Sequence, residues 1–163
     1  MPRAVLKKIM PSHQTIQKQK ILKIFGSLLY KKEIWSLSRK KVLSGVFIGI
    51  FVAFIPMPLQ MVLVAFLAIF FSVNLPIGLL LIWISNPITM PFIYYFQYEL
   101  GNLLLNKTQT IEFTMQSMAE NLDQIALSLY FGAFVVSLVC SILCVFILNL
   151  IWINRIKYKR SKN

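Results

Sequence analysis

The chain of 163 residues carries 17 Lys+Arg against 5 Asp+Glu, a formal net charge of +12, with 58% hydrophobic and 13% charged residues. An average soluble domain has about 25% charged residues, and one of this size has too little interior to hide so much apolar surface. Disorder is excluded because disordered chains lack large apolar residues, and two Cys make no disulfide framework, so composition indicates a small all-α integral membrane protein.

A basic arm, residues 1–41, comes first. Residues 1–43 hold eleven cations (Arg3, Lys7, Lys8, Lys18, Lys20, Lys23, Lys31, Lys32, Arg39, Lys40, Lys41) against Glu33 alone. Over 14–30, Ile21, Ile24, Phe25, Gly26, Leu28 and Leu29 recur at steps of three and four between Lys18, Lys20 and Lys23. This pattern predicts an amphipathic helix lying in the headgroup region, apolar face down. Nucleic acid would need the same charges, but an apolar segment starts at Val42, so anionic lipid is the expected partner and nucleic acid is not. Tyr30 and Trp35 suit an interfacial aromatic belt.

The membrane domain is read as 42–154. Residues 42–98, a run of 57, contain no Asp, Glu, Lys or Arg. A cleaved signal is not expected, because the apolar run is long and has no small-residue cleavage site. A bilayer core of about 30 Å takes roughly 20 helical residues, and Pro56, Pro58, Pro76, Pro87 and Pro91 cut the run into shorter pieces. The favoured reading is a broken-helix, re-entrant hairpin over 42–72 that enters and leaves on one side, followed by a crossing over 76–98. Two Pro-kinked full spans are the alternative.

Residues 99–123 hold Glu99, Glu112, Glu120 and Asp123 with Lys107 alone and are expected on the outside. There Ile111, Met115, Met118, Leu122 and Ile125 form a helical stripe. A second uncharged run, 124–154, spans 31 residues and predicts one transmembrane helix. Its Ser128, Gly132, Ala133, Ser137 and Ser141 make a small-residue face suited to close helix packing, against the broken helices or in a homo-oligomer through 128–144. Cys140 and Cys144 lie within it, and packing is a better reading for them than metal ligation. The tail, 155–163, is basic through Arg155, Lys157, Lys159, Arg160 and Lys162. Cation-rich ends stay cytoplasmic, so the expectation is a multi-pass membrane protein with both termini on the cytoplasmic side.

The polar residues of the first run sit beside its breaks: Gln60 after Pro56 and Pro58, Asn74 before Pro76, and Asn86 with Pro87, Thr89 and Pro91. Proline favours a first helical turn and asparagine caps one, so these residues are candidates for half-helix starts. Non-helical backbone at membrane depth occurs where protein or a water-filled cavity surrounds it, as in transporters. A transport-like or lipid-handling cavity around Gln60, Asn74 and Asn86 is one expectation, and a non-catalytic scaffold is the other. The sole His is His13, and no paired carboxylates, phosphate loop or metal-ligand spacing occurs. No enzyme, cofactor or metal site is therefore expected.

The order Trp35, Arg39-Lys40-Lys41, Gly45, Phe54-Ile55-Pro56-Met57-Pro58-Leu59-Gln60-Met61, Val73-Asn74-Leu75-Pro76, Ser85-Asn86-Pro87-Ile88-Thr89-Met90-Pro91 and Tyr94-Tyr95 resembles the bacterial membrane family called domain of unknown function 2062. The resemblance covers essentially the whole chain. It implies a protein of the cytoplasmic membrane with no established activity and no catalytic residues to transfer.

Overall fold

The computed structural model describes residue 16, residues 20–106 and residues 122–161. Among them there are only helices and turns: 3-10 segments Lys20–Tyr30 and Lys32–Trp35, then α1 (Arg39–Ala53), α2 (Gln60–Phe70), α3 (Leu75–Leu81) with a 3-10 extension Ile82–Ile84, α4 (Met90–Leu104) and α5 (Leu122–Ser161).

The prolines set the first three helices. α1 ends just before Pro56 and Pro58, and α2 begins two residues after Pro58, because neither ring nitrogen has a proton to donate to a preceding carbonyl. α2 closes in a Schellman turn: Ser72 adopts φ 51°, its N–H donates to Ile69 and that of Val73 to Ala68. Asn74 then caps α3, its Oδ1 accepting from the Ile77 N–H at 3.0 Å, with Pro76 in the first turn.

These helices run back and forth. The Asn74 N–H donates to the Lys41 carbonyl at 3.1 Å, so residues 42–72 begin and end at one end of the bundle, here called the arm end. Ser85 Oγ lies 3.3 Å from Gln60 Oε1, so α3 has returned to the far end. At 15, 11 and 7 residues these helices are about 22, 16 and 10 Å long. The stretch 76–98, read from the sequence as one crossing, is two helices. The turn at Ser85–Thr89 separates them, because Pro87 and Pro91 interrupt the helical donors.

α5 is the axis. Its Trp152 packs with Val42, Val46 and Ile50 of α1 and Ile77 of α3, and its Phe134 meets Phe51 edge-on at 6.1 Å. Farther toward the N-terminus of α5, Tyr98 of α4 packs on Ile125 and Leu129. The helices α4 and α5 run antiparallel in backbone contact. A Cβ added to Gly132 would lie 1.8 Å from the Gln97 carbonyl oxygen, and one added to Gly101 1.8 Å from that of Ser128. Ile125–Tyr158, 34 residues, is the one stretch among the described residues long and apolar enough to cross a membrane, and only 17% of its most apolar window is buried in the fold.

The small-residue face is interior: Ser128, Ala133, Ser137 and Ser141 are buried, and Gly132 abuts α4. It is covered by the chain's own helices. Cys140 and Cys144 pack beside Trp152 as unpaired thiols.

The arm differs from the expected surface helix. Lys20–Tyr30 is a 3-10 segment kinked at Gly26, φ 44°, a conformation that side-chain-bearing residues rarely adopt. The kink turns Leu22 and Leu29 into the core with Val64, Ala65 and Ala68 of α2, while Ile24 and Leu28 stay exposed. Trp35 fastens the segment, its Nε1 donating to the Leu29 carbonyl at 2.9 Å. Arm and helical bundle thus share one core. Of the 111–125 stripe, only Ile125 is described at side-chain level, and it is buried; the rest lies outside the described residues.

Candidate functional site

The polar residues of the breaks divide between the two ends of the bundle. The first break (Pro56, Pro58, Gln60) and the third (Asn86, Pro87, Thr89, Pro91) come together at the far end. Asn74 and Pro76 lie at the arm end, because the α2 hairpin brings them back beside Lys41. A single cavity around Gln60, Asn74 and Asn86 is therefore not formed. One around Gln60 and Asn86 is.

At the far end a recess of about 260 Å³ is lined by Pro58, Leu59, Gln60, Met61, Val62, Ile82, Trp83, Ser85, Asn86 and Pro87. Its rim is open, with Pro58, Leu59, Trp83 and Pro87 exposed. It is small beside the roughly 300–1,000 Å³ of pockets that hold drug-sized molecules.

The polar groups of this wall are held by the protein's own backbone. Gln60 is buried, and its Nε2 donates to the Ala53 carbonyl at 3.3 Å and the Ile55 carbonyl at 2.9 Å. It thereby satisfies acceptors that the end of α1 leaves without a helical donor. Its Oε1 accepts from Ser85 Oγ, within reach also of the Ile82 carbonyl at 3.1 Å. Asn86 Oδ1 accepts from the N–H groups of Ile88 and Thr89 at 2.9 and 3.0 Å. Thr89 Oγ1 accepts from the Asn86 N–H at 3.0 Å and donates to the Ile84 carbonyl at 2.6 Å. This reciprocal pair closes the third break locally. With these amides and hydroxyls engaged, the recess offers a chiefly apolar wall.

Asn74 does the corresponding work at the arm end. It is fully buried; besides capping α3, its Nδ2 donates to the Ser36 carbonyl at 3.0 Å. It ties the second break to the chain segment just before α1.

Two residues outside the candidates drawn from the sequence, one of them the polar Gln97 that follows the third break, complete the far end. Gln97 of α4 is fully buried, and its Nε2 donates to the Phe54 carbonyl at 2.8 Å, while its Oε1 has no partner among the described residues. Tyr130 of α5 donates to the Pro56 carbonyl at 2.8 Å. The carbonyls of Ala53, Phe54, Ile55 and Pro56, freed where α1 stops, are thus gathered by Gln60, Gln97 and Tyr130. The sequence signal was indirect: four consecutive acceptors running up to and including Pro56 in an apolar run require donors from elsewhere, and Gln97 and Tyr130 are among the few polar groups available.

The described residues contain no group of three or more His, Cys, Asp or Glu placed to hold a metal. No curated protein and no solved structure matches this chain. Residues 22–161 match the family described as an uncharacterized protein conserved in bacteria, DUF2062, and since this is most of the chain, with every break and its partners inside it, the protein belongs to that family.

Proposed function

We propose that this is a multi-pass protein of the bacterial cytoplasmic membrane, with both termini inside, that accommodates a lipid acyl or other apolar chain at the far-end recess. α5 spans the bilayer, and α1, α2 and α3, each shorter than the roughly 30 Å hydrocarbon core, form a re-entrant unit beside it. α4 completes the passage to the outside along α5. Exposed Phe66, Phe70, Trp83, Phe92, Phe96, Phe134, Ile142 and Phe146 give this bundle an apolar exterior suited to lipid.

The observation that carries the ligand class is the engagement of the polar side chains at the recess, which leaves an apolar, laterally open slot. A hydrophilic solute would have to displace hydrogen bonds that hold the breaks together, at the cost of stranded buried groups. With Arg39 at the inner headgroups, 15 residues of α1 place the recess about 22 Å into the membrane, within the outer leaflet.

The test is native mass spectrometry of the protein extracted in mild detergent, comparing wild type with Val62→Trp, which fills the recess. The expected result is an apolar-chain ligand retained by the wild type and lost from the variant, with thermal stability kept. Equal retention by both, or none by either, overturns the reading in favour of a scaffold that only packs.

A further inference from the structure

The arm end carries a second feature. Lys31, Lys32, Arg39 and Lys40 before and in the first turn of α1, and Arg155 and Lys157 near the end of α5, are all exposed. More than 110 positions separate these groups in sequence, but the fold sets them at one level. Trp152, a single turn before Arg155, is buried against Val42 and Val46 with Leu37 alongside. The turn carrying Lys31 and Lys32 is held to α1, since Lys41 Nζ donates to the Glu33 carbonyl at 3.1 Å. Among the described residues, Glu33 is the sole acidic side chain at this end; Glu99 lies on α4, toward the far end.

Basic groups on one segment would make an ordinary solvated face. Here two segments fixed by a common core form a collar around the end of the bundle, next to exposed apolar side chains at Ile24, Leu28 and Ile156. That combination of fixed cations above apolar surface matches a phosphate headgroup above acyl chains. Nucleic acid would meet the same charges, but the neighbouring apolar side chains favour lipid.

We infer that the arm end binds the headgroups of acidic phospholipids between the start of α1 and the end of α5, both segments contributing cations. This rests on the membrane reading above and is independent of the recess.

The experiment uses the full chain in mild detergent, with phosphatidylglycerol and phosphatidylcholine as probes, read by native mass spectrometry and by the thermal-unfolding shift. Phosphatidylglycerol is expected to bind and stabilise while phosphatidylcholine does not, and 0.5 M salt is expected to abolish the difference. At about fivefold per cation, R155Q/K157Q lowers phosphatidylglycerol affinity about 25-fold, and K31Q/K32Q does likewise, with the helical spectrum unchanged. Equal binding of the two lipids overturns the inference, as does unchanged affinity in either double variant. Displacement of the lipid by a short DNA duplex or by inorganic phosphate at equal concentration also overturns it. Extraction of the protein from membranes by alkaline carbonate would instead defeat the membrane reading itself. Retention in carbonate with equal lipid binding defeats the collar alone.

Discussion

Gly132→Ala is the sharpest perturbation of the bundle. The new Cβ would stand 1.8 Å from the Gln97 carbonyl oxygen, and real Cβ contacts stay above 3.0 Å, so α4 and α5 must separate locally by more than 1 Å. The obstructing atom is backbone within a helix, so no rotamer change relieves the contact. Overpacking of this kind costs up to about 3 kcal/mol, and the better helix propensity of alanine returns about 1, for a net loss of about 2 kcal/mol. The displacement also stretches the 2.8 Å bond from Gln97 to Phe54, adding about 1 kcal/mol. Reversible unfolding in mixed micelles, titrated with a denaturing detergent, measures the total. Gly101→Ala presses on the next turn of the same crossing, so one separation relieves both collisions. The double variant is therefore expected to lose clearly less than the sum of the singles. A Gly132→Ala protein within about 0.5 kcal/mol of wild type, below any overpacking cost, would refute the close crossing, and strict additivity would refute the shared displacement.

Gln60→Leu strands the Ala53 and Ile55 carbonyls and is expected to lose about 2–4 kcal/mol by the same titration, with Ser85→Ala costing about 1. Asn74→Ala loses both the acceptor for the Ile77 N–H and the donor to Ser36 and is expected to lose about 2–3 kcal/mol, with amide exchange at Ile77 rising. Tyr130→Phe removes one exposed bond to Pro56 and should cost no more than about 1 kcal/mol. Single cysteines at Lys107 and Ser161, with Cys140 and Cys144 replaced by Ser, should react with an impermeant thiol reagent from the outside and the inside respectively. Labelling of both from the same side would overturn the proposed topology.

Much of the architecture was legible because it follows from local chemistry. Pro56, Pro58 and Pro87 keep the breaks non-helical, Pro76 opens α3 with Asn74 as its cap, Asn86 closes the turn before α4, and the uncharged 124–154 run became a single helix. The candidate site was half legible. Gln60 and Asn86 meet at the recess, whereas a hairpin over 42–72 that enters and leaves on one side already carries Asn74 back beside Lys41, away from the other two. The role of Gln97 depends on α4 approaching at Gly101 and Gly132, and that contact is set by which glycine faces which backbone. The kink of the arm is not legible, because nothing in the spacing of its apolar residues shows that Gly26 takes a left-handed backbone, with Leu22 and Leu29 turned inward.

The bond from Asn74 to Ser36 bears on the order in which the chain assembles. The third break is closed by partners within five residues, Asn86, Thr89 and Ile84, so it is self-sufficient as soon as that segment is synthesised. The second is completed by a carbonyl 38 residues upstream. Until α1 and α2 have folded back on each other, the Asn74 amide has no such acceptor, and the short α3 is only half capped. Ser36 is thus synthesised well before the partner that engages it. A chain whose arm is deleted through Ser36 should form α1 and α2 yet leave α3 unseated, open to proteolysis at the 71–74 turn.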